Sequence, residues 1–393
     1  MIRKIADIDS NLVIGIDASN IRAGGGVTHL AQMLTAAVLP AAGIRHVIVW
    51  GGKATLARLP DQDWLSKVHI GWLDWSLPFR ILWQQFFLPQ TAMRASCSAL
   101  FSPGGSVPII ARIPCVTMSQ NMLPFEPRER RRFGLCSWMY WKLLGLRWIQ
   151  SHSLQRAAGV IFLTRYARDT LRAQVAINCD TIIPHGVETR FFLEMRKQRK
   201  VSEFSDINPF RVLYVSIIDV YKHQDMVAIA VAQLRSRRLP VSVDFIGPAY
   251  APALTRLKDK IRQLDDHHHF LNHRGPIAFG QLHVAYAEAD AFVFASSCEN
   301  LPNILLEAMA AGLPIACSNR EPMPEILGDA GVYYDPEQPE EIASALERLF
   351  LDHTLRTQLA MHAQERAREY SWQRCASDTF SFIEGIVRKQ SVH

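Results

Sequence analysis

The chain has 393 residues, too many for one ordinary core, so two domains are expected. Its composition, 49% hydrophobic and 20% charged with a mean hydropathy of +0.01, excludes a disordered chain, and no apolar run reaches the roughly 20 residues of a membrane-spanning helix. The net charge of +6 is uneven: residues 1–200 hold 25 Lys/Arg against 12 Asp/Glu and the rest 18 against 25, which predicts an anionic partner on the first half.

In chain order, MIRKIADIDSNL opens without the apolar core of a signal peptide. Strand-like runs follow at LVIGIDAS (12–19), HVIVWGG (46–52), ALFSPGG (99–105), CVTMSQN (115–121) and GVIFLT (159–164). After a polar stretch at 195–208, expected to be a linker or loop, come RVLYVSI (211–217), VSVDFIG (241–247), AFVFASS (291–297) and LPIACS (313–318). Short apolar runs separated by helix-length segments read as βα units on parallel sheets. The expected fold is therefore α/β, with two Rossmann-like doubly wound domains: 1–195, joined by an amphipathic terminal helix at about 372–390, and 209–371. Seven scattered cysteines without a CxxC pair suit a reducing, cytoplasmic setting.

The glycine cluster AGGGVTHL (23–30) follows the first strand but lacks GxGxxG spacing, and no GxxxxGK[ST] occurs, so neither hydride transfer nor P-loop chemistry has a motif here. The run His267-His268-His269 cannot aim three adjacent rings at one ion from regular structure and reads as a solvated loop. The pairs Asp7/Asp9 and Asp61/Asp63 sit in polar stretches, and no metal site is expected. Two segments mix Trp, Leu and Arg: 72–90, and 125–150 with Arg128, Arg130, Arg131 and Arg132. Such mixtures suit either helix packing or an anionic membrane interface. No nucleic-acid module accompanies the charge, so no nucleic-acid partner is expected.

The most informative stretch is ENLPNILLE (299–307). On one helix, eight steps of about 100° would leave Glu299 and Glu307 roughly 80° apart, a poor salt-bridge face. Pro302 suits a helix start with Asn300 nearby as a cap, and Gly312 a helix end. Glu299 is thus expected in a loop and Glu307 in a helix from about Pro302 to Ala311, whose N-terminus between them attracts anions. Either carboxylate alone would read as a solvated surface group.

The whole stretch resembles the signature of the retaining GT-B glycosyltransferases of family 4: a Glu-x7-Glu pair, then AMAAGLP (308–314) and Pro324-Glu325. YVSIIDVYKH (214–223), 274–297, IIPHGVETRFF (182–192) and GGGV (24–27) resemble further parts of that family. The resemblance implies two domains facing across a cleft, and transfer of a sugar from a nucleoside-diphosphate sugar with retention, without metal or other cofactor. It implies that Lys222 meets the departing diphosphate and Glu299 the sugar, as the catalytic pair. Glu307 would bind the ribose, with Asn300, Leu301, Asn303, Ile304, Ser216, Gly25 and Gly26 also on the donor side. Gln120, Asn121 and Arg165 would face a lipid-linked or oligosaccharide acceptor, with Arg128–Arg132 toward an anionic membrane. The implied role is surface-polysaccharide assembly (O-antigen, capsule or exopolysaccharide) at the inner face of the cytoplasmic membrane.

Three positions depart from the family pattern. Ile217 stands where the Arg of Arg-x4-Lys would fall, Asn300-Leu301-Pro302 replaces Gly-Phe-Gly, and Gln120 or Asn121 stands where relatives carry His. The alternatives are a same-fold nucleotide-sugar epimerase, a nucleotide-sugar-binding protein without turnover, and a membrane-surface scaffold.

Overall fold

A computed structural model describes residues 11–22, 24–39 and 43–390. The chain divides into two compact units. One comprises the chain up to Asn121, Lys142–Gly186 and the chain from Ser371 on; the other comprises Met122–Trp141 and Val187–Tyr370.

The first unit is built on seven strands: β1 (Leu12–Asp17), β2 (Ile44–Gly51), β3 (Leu65–His69), β4 (Ala99–Ser102), β5 (Cys115–Met118), β6 (Gly159–Phe162) and β7 (Asp180–Ile182). All neighbours pair in parallel, in the order β3-β2-β1-β4-β5-β6-β7. The second unit has β8 (Phe210–Val215), β9 (Val241–Ile246), β10 (Leu271–Gly275), β11 (Ala291–Phe294), β12 (Ile315–Ser318) and β13 (Gly331–Tyr334). They too are parallel, in the order β10-β9-β8-β11-β12-β13. Both sheets are thus Rossmann-like, as expected.

Every residue of β4, β5, β6, β11 and β12 is buried. A central parallel strand is covered by helices on both faces and therefore reads as a continuous apolar run. β3, β7, β10 and β13 are the four sheet edges and are only part-buried; none of them was expected from the sequence. In each unit the strand order reverses beside the first strand, between β1 and β4 and between β8 and β11. Diverging connections there open a crevice at the carboxyl ends of those strands, the place where open α/β sheets take ligands.

The stretch 195–208, expected to be a linker or loop, is a loop tied to the second unit. Arg196 donates to the Ala289 carbonyl at 2.9 Å, and Arg199 pairs with Asp290 at 2.6 Å. Most of its other polar residues, among them Lys197, Lys200, Ser202 and Asp206, are exposed. In the first unit, helix Trp372–Gln390 begins against Gly186, where a Cβ would lie 2.2 Å from the Trp372 nitrogen. The rings of His29, His185 and Trp372 cluster beneath it, the two imidazoles 4.6 Å apart.

Candidate functional site

Two loops of the second unit meet at its switch point: 216–223 after β8, and 295–302 after β11. Tyr214, on β8, ties them together. Its hydroxyl donates to the Lys222 carbonyl at 2.5 Å and accepts the Ala295 N–H at 3.2 Å. Ser297 adds a second stitch, its N–H donating to the Tyr221 carbonyl at 2.9 Å and its hydroxyl lying 3.0 Å from His223 Nε2. Burial first, then the charge of Glu299, push the Tyr214 and Tyr221 phenols well above their usual range, so both stay neutral. His223 sits in the left-handed region at φ 49° and opens helix Gln224–Ser236. Burial, then Arg132, push its imidazole down to about 4.

This frame holds Lys222, 4% exposed, in an ion pair with Glu299. The ammonium also lies 5.1 Å from the Tyr221 ring centre and 5.3 Å from that of Phe294. Aromatic faces and a carboxylate together offset the cost of burying an ammonium. Behind His223, a cavity of about 310 Å³ is lined by Arg132, Arg256, Asp225 and Glu337 among others.

The following helix is Asn303–Ala310. Pro302 stands at its cap with extended backbone (φ −76°, ψ 107°), so the helix starts one residue later than expected and Asn300 is not its cap. No side chain caps it and no acidic residue lies in its first turn, so the first-turn amides at Asn303 and Ile304 keep the positive end of the helix open. Asn300 and Leu301 are buried in the approach to it. The buried Ser216 Oγ and Asn303 Oδ1 have no hydrogen-bond partner among the described residues. Buried polar atoms are normally paired, so these two point to a ligand.

Glu307 is carried one turn further and is 6% exposed. Tyr286 donates to its Oε2 at 3.0 Å. Burial is the main influence on its carboxyl, pushing it up to about 7; Tyr286 and Arg190 act downward and Glu188 upward. Arg190 is paired with Glu188 at 3.0 Å and lies over the Phe279 ring. Sequence reasoning missed Tyr214, Ser297, His223, Tyr286 and Arg190. None of them carries a sequence signal of its own.

The remaining expected residues belong to the first unit. Gly24 (φ 68°) leads into helix Gly25–Ala36, whose N-terminus has no side-chain cap. A Cβ on Gly26 would lie 3.2 Å from Gln120 Oε1, so the glycine loop and Gln120 are brought together. Asn121 follows Gln120 after β5, and Arg165 opens helix Arg165–Arg172 after β6.

The arginine run needs correction as a surface. Met122–Trp141 belongs to the second unit. Arg130 is buried and donates to the Pro124 carbonyl at 2.6 Å. Arg128 and Arg132 share Glu337 at 2.6 and 2.9 Å, and Arg132 also pairs with Glu129, which accepts from Ser297. Among the described residues, only Arg131 of the four is exposed without a hydrogen bond or ion pair. The charge pattern was legible, but not that internal carboxylates consume it. The histidine run lies on an exposed turn, and Asp61 pairs with Lys67 at 2.5 Å. Asp7 and Asp9 fall outside the described residues.

Two Rossmann-like units of this strand order, with a cation–carboxylate pair and an open helix N-terminus at the switch point of the second, define a GT-B architecture. Residues 209–352, within the second unit, match the family model described as "Glycosyl transferases group 1". Among curated relatives, the chain is 30% identical over 112 residues to O-antigen chain mannosyltransferase B of Escherichia coli, covering 28% of this chain and 29% of the relative. It is 26% identical over 246 residues to D-inositol 3-phosphate glycosyltransferase of Paenarthrobacter aurescens, covering 58% of each. The matches thus span well under two thirds of these relatives. Among solved structures, sucrose-phosphate synthase from Thermosynechococcus elongatus superposes with a TM-score of 0.73 at 17% identity, covering 97% of this chain and 99% of that one. Anabaena HepE, solved with UDP-glucose, superposes with a TM-score of 0.69 at 17% identity, covering 97% and 100%. These likenesses concern the fold.

Proposed function

We propose that the protein is a retaining glycosyltransferase. It moves a sugar from a nucleoside-diphosphate sugar to a lipid-linked or oligosaccharide acceptor, without a metal, in surface-polysaccharide assembly at the inner face of the cytoplasmic membrane. The observation that carries the reading is the furnishing of the second switch point: Lys222 and Glu299 in one pair, an uncapped helix start, and the unpartnered Ser216 Oγ and Asn303 Oδ1. The similarity to the E. coli O-antigen mannosyltransferase supports the class of product. The basic first half supports an anionic, lipid-borne acceptor, with Gln120, Asn121 and Arg165 on its side.

In this reaction negative charge grows on the departing diphosphate while the sugar becomes oxocarbenium-like. Lys222 and the Asn303 and Ile304 amides stabilise that charge, and Glu299 accepts hydrogen bonds from the sugar. Glu307 accepts them from the ribose. No protein nucleophile is assigned, and the two carboxylates position substrate rather than form an acid and base pair. Ile217 supplies no second cation after β8, so Lys222 carries that contact as a point charge.

The test is thermal stability against nucleoside diphosphates and nucleotide sugars in the presence of a chelator. A ligand at about 100 times its Kd adds roughly 2.7 kcal/mol to stability. A base-selective rise in Tm, lost in Glu307→Ala, is expected; folded protein unmoved by every nucleotide would sink the reading. Sugar release that needs no acceptor would indicate the epimerase instead.

A further inference from the structure

Residues 71–94 of the first unit form a broken helical ridge: a tight turn at Gly71–Asp74, helix Leu77–Leu82, a π-helical turn at Trp83–Phe87 and helix Leu88–Arg94. Its inner face gives Leu73, Trp83, Leu88 and Ala92 to a core shared with Trp50 and Leu100. Its outer face is apolar as well. Trp72, Trp75, Phe79, Leu82, Phe86 and Phe87 are all exposed, Phe86 by 64% and Trp75 by 53%. Four of these rings form one cluster: Trp75 meets Phe79 with ring centres 5.0 Å apart, Trp72 meets Phe87 at 5.1 Å, and Trp72 lies 6.2 Å from Phe79. A helical segment that faces water should carry a polar outer side, and contiguous apolar patches of this kind mark an interaction surface.

The charges along the ridge say what covers it. Asp74 is its one carboxylate, and it is already engaged, accepting the Lys53 N–H at 2.8 Å and pairing with His69 at 2.5 Å. Arg80 lies on the ridge, and Arg22 lies at its edge, donating to the Trp75 and Asp74 carbonyls at 3.4 and 3.5 Å. Arg80 Nε is buried without a partner. The neighbouring Arg22 charge, after burial, disfavours the Arg80 cation. Arg22 is drawn to Asp74, whose carboxyl is lowered first by the His69 hydrogen bond and further by the Arg22 charge, so Arg80 is a ridge guanidinium with no ion pair among the described residues. Apolar rings beside such a guanidinium match the boundary of an anionic bilayer, where rings enter the acyl region and arginines meet lipid phosphates. The same π-helical turn points inward through Gln84, whose amide donates to Asp17 at the end of β1. A docked ridge would therefore lie directly over the switch point of the first sheet.

We propose that the 71–94 ridge is a membrane-docking face for anionic phospholipid, with its outer rings inserted and Arg80 on headgroup phosphate. The inference deepens the lipid-borne acceptor reading and rests on it, but not on the donor chemistry. It replaces Arg128–Arg132 as the docking surface.

The experiment is co-sedimentation of the full chain with vesicles of phosphatidylethanolamine and phosphatidylglycerol, against vesicles of phosphatidylcholine. The wild type is expected to pellet with the anionic vesicles, with blue-shifted tryptophan emission. Combined Trp75→Ser, Phe79→Ser and Phe86→Ser should weaken binding at least about tenfold. Arg80→Gln should weaken it about fivefold, near 1 kcal/mol per basic residue, and reduce the preference for anionic lipid. Arg131→Gln should leave it unchanged. The nucleotide-induced Tm rise should survive in every variant, which shows that each is folded. No pelleting of the wild type, equal pelleting of the triple variant, or a dimer that the triple variant dissolves would each overturn the proposal. Vesicle binding without any nucleotide response would instead sink the donor reading and leave the ridge standing.

Discussion

The ends of β1 and β8 occupy the same place in the two sheets, each beside the strand where the order reverses. At the first, Asp17 is buried and surrounded by neutral donors: Gln84 Nε2 at 2.5 Å, Ser102 Oγ at 3.3 Å and the Ser19 N–H at 2.9 Å. Burial raises its carboxyl and these hydrogen bonds only partly oppose the rise. At the second, a carboxylate and an ammonium are paired beside an open helix start and two unpartnered polar atoms. A carboxyl held by a network of neutral donors fixes structure, because its bonding capacity is spent internally. An ion pair in a half-furnished pocket can be reorganised by an incoming dianion, because one partner can exchange its contact. The same topology thus supplies a brace in one unit and a binding site in the other.

The largest effect should come from the ion pair. Lys222→Ala is expected to lower turnover by about 10²–10³-fold, the usual consequence of removing one donor aimed at developing charge. Glu299→Gln should impair transfer more than it impairs binding of the nucleoside diphosphate. Turnover rates separated from binding by single-turnover kinetics check both. Full turnover in Lys222→Ala would break the contrast between the two switch points.

The next expectation concerns acid. His29 and His185 are buried neutral in the first unit; burial pushes His29 down to about 4 and His185 well below its usual value. An unfolded imidazole titrates near 6.5, so between pH 6.5 and about 4 the unfolded chain binds more protons than the folded one. Stability is therefore complete above pH 6.5 and falls as pH drops, by about 1.4 kcal/mol per unit for each group and about 3 kcal/mol in total for His29. The second unit carries His223, also near 4. The second unit also holds the part-buried His273, lowered by burial, but only in the first unit are two wholly buried imidazoles packed together, 4.6 Å apart, so the first unit should melt earlier in acid. Denaturant midpoints at pH 7 and pH 5 measure this, and His29→Gln should remove part of the loss.

Asp17→Ala should cost about 1–3 kcal/mol, because it removes the acceptor shared by Gln84 Nε2, Ser102 Oγ and the Ser19 N–H and leaves Gln84 Nε2 only its bonds to Ser106. Nucleotide affinity should not change. A drop in affinity instead of stability would mean that the first switch point is not a brace.

How far each part could be read in advance follows the same physics. The inner strands announced themselves because both faces are buried; the edges β3 (LSKVH) and β10 (LNHRG) did not, because half of each strand meets solvent or loops. Lys222, Glu299 and Glu307 were legible through spacing and resemblance. The partners that hold them were not, since Tyr214 and Tyr286 look like ordinary core aromatics until tertiary packing sets their hydroxyls beside Lys222 and Glu307. The arginine run misled because Glu337, some two hundred positions away, engages two of its four members and a backbone carbonyl a third.

The smallest expected effect is also the sharpest test of the donor assignment. Glu307 titrates near 7 in the protein without ligand, raised chiefly by burial. Only the ionised carboxylate offers all its lone pairs to ribose hydroxyls. Donor binding should therefore favour deprotonation: affinity is highest above pH 7 and falls by up to about tenfold per unit as pH drops below it. A nucleotide sugar is the right ligand, since its esterified diphosphate does not itself titrate in this range. Calorimetry from pH 8 to pH 6 in wild type should give a sloping profile and proton release on binding. Glu307→Gln should bind more weakly at pH 8 and give a flat profile. A flat wild-type profile would place the ribose elsewhere, and the second switch point would keep its diphosphate contacts without its nucleoside.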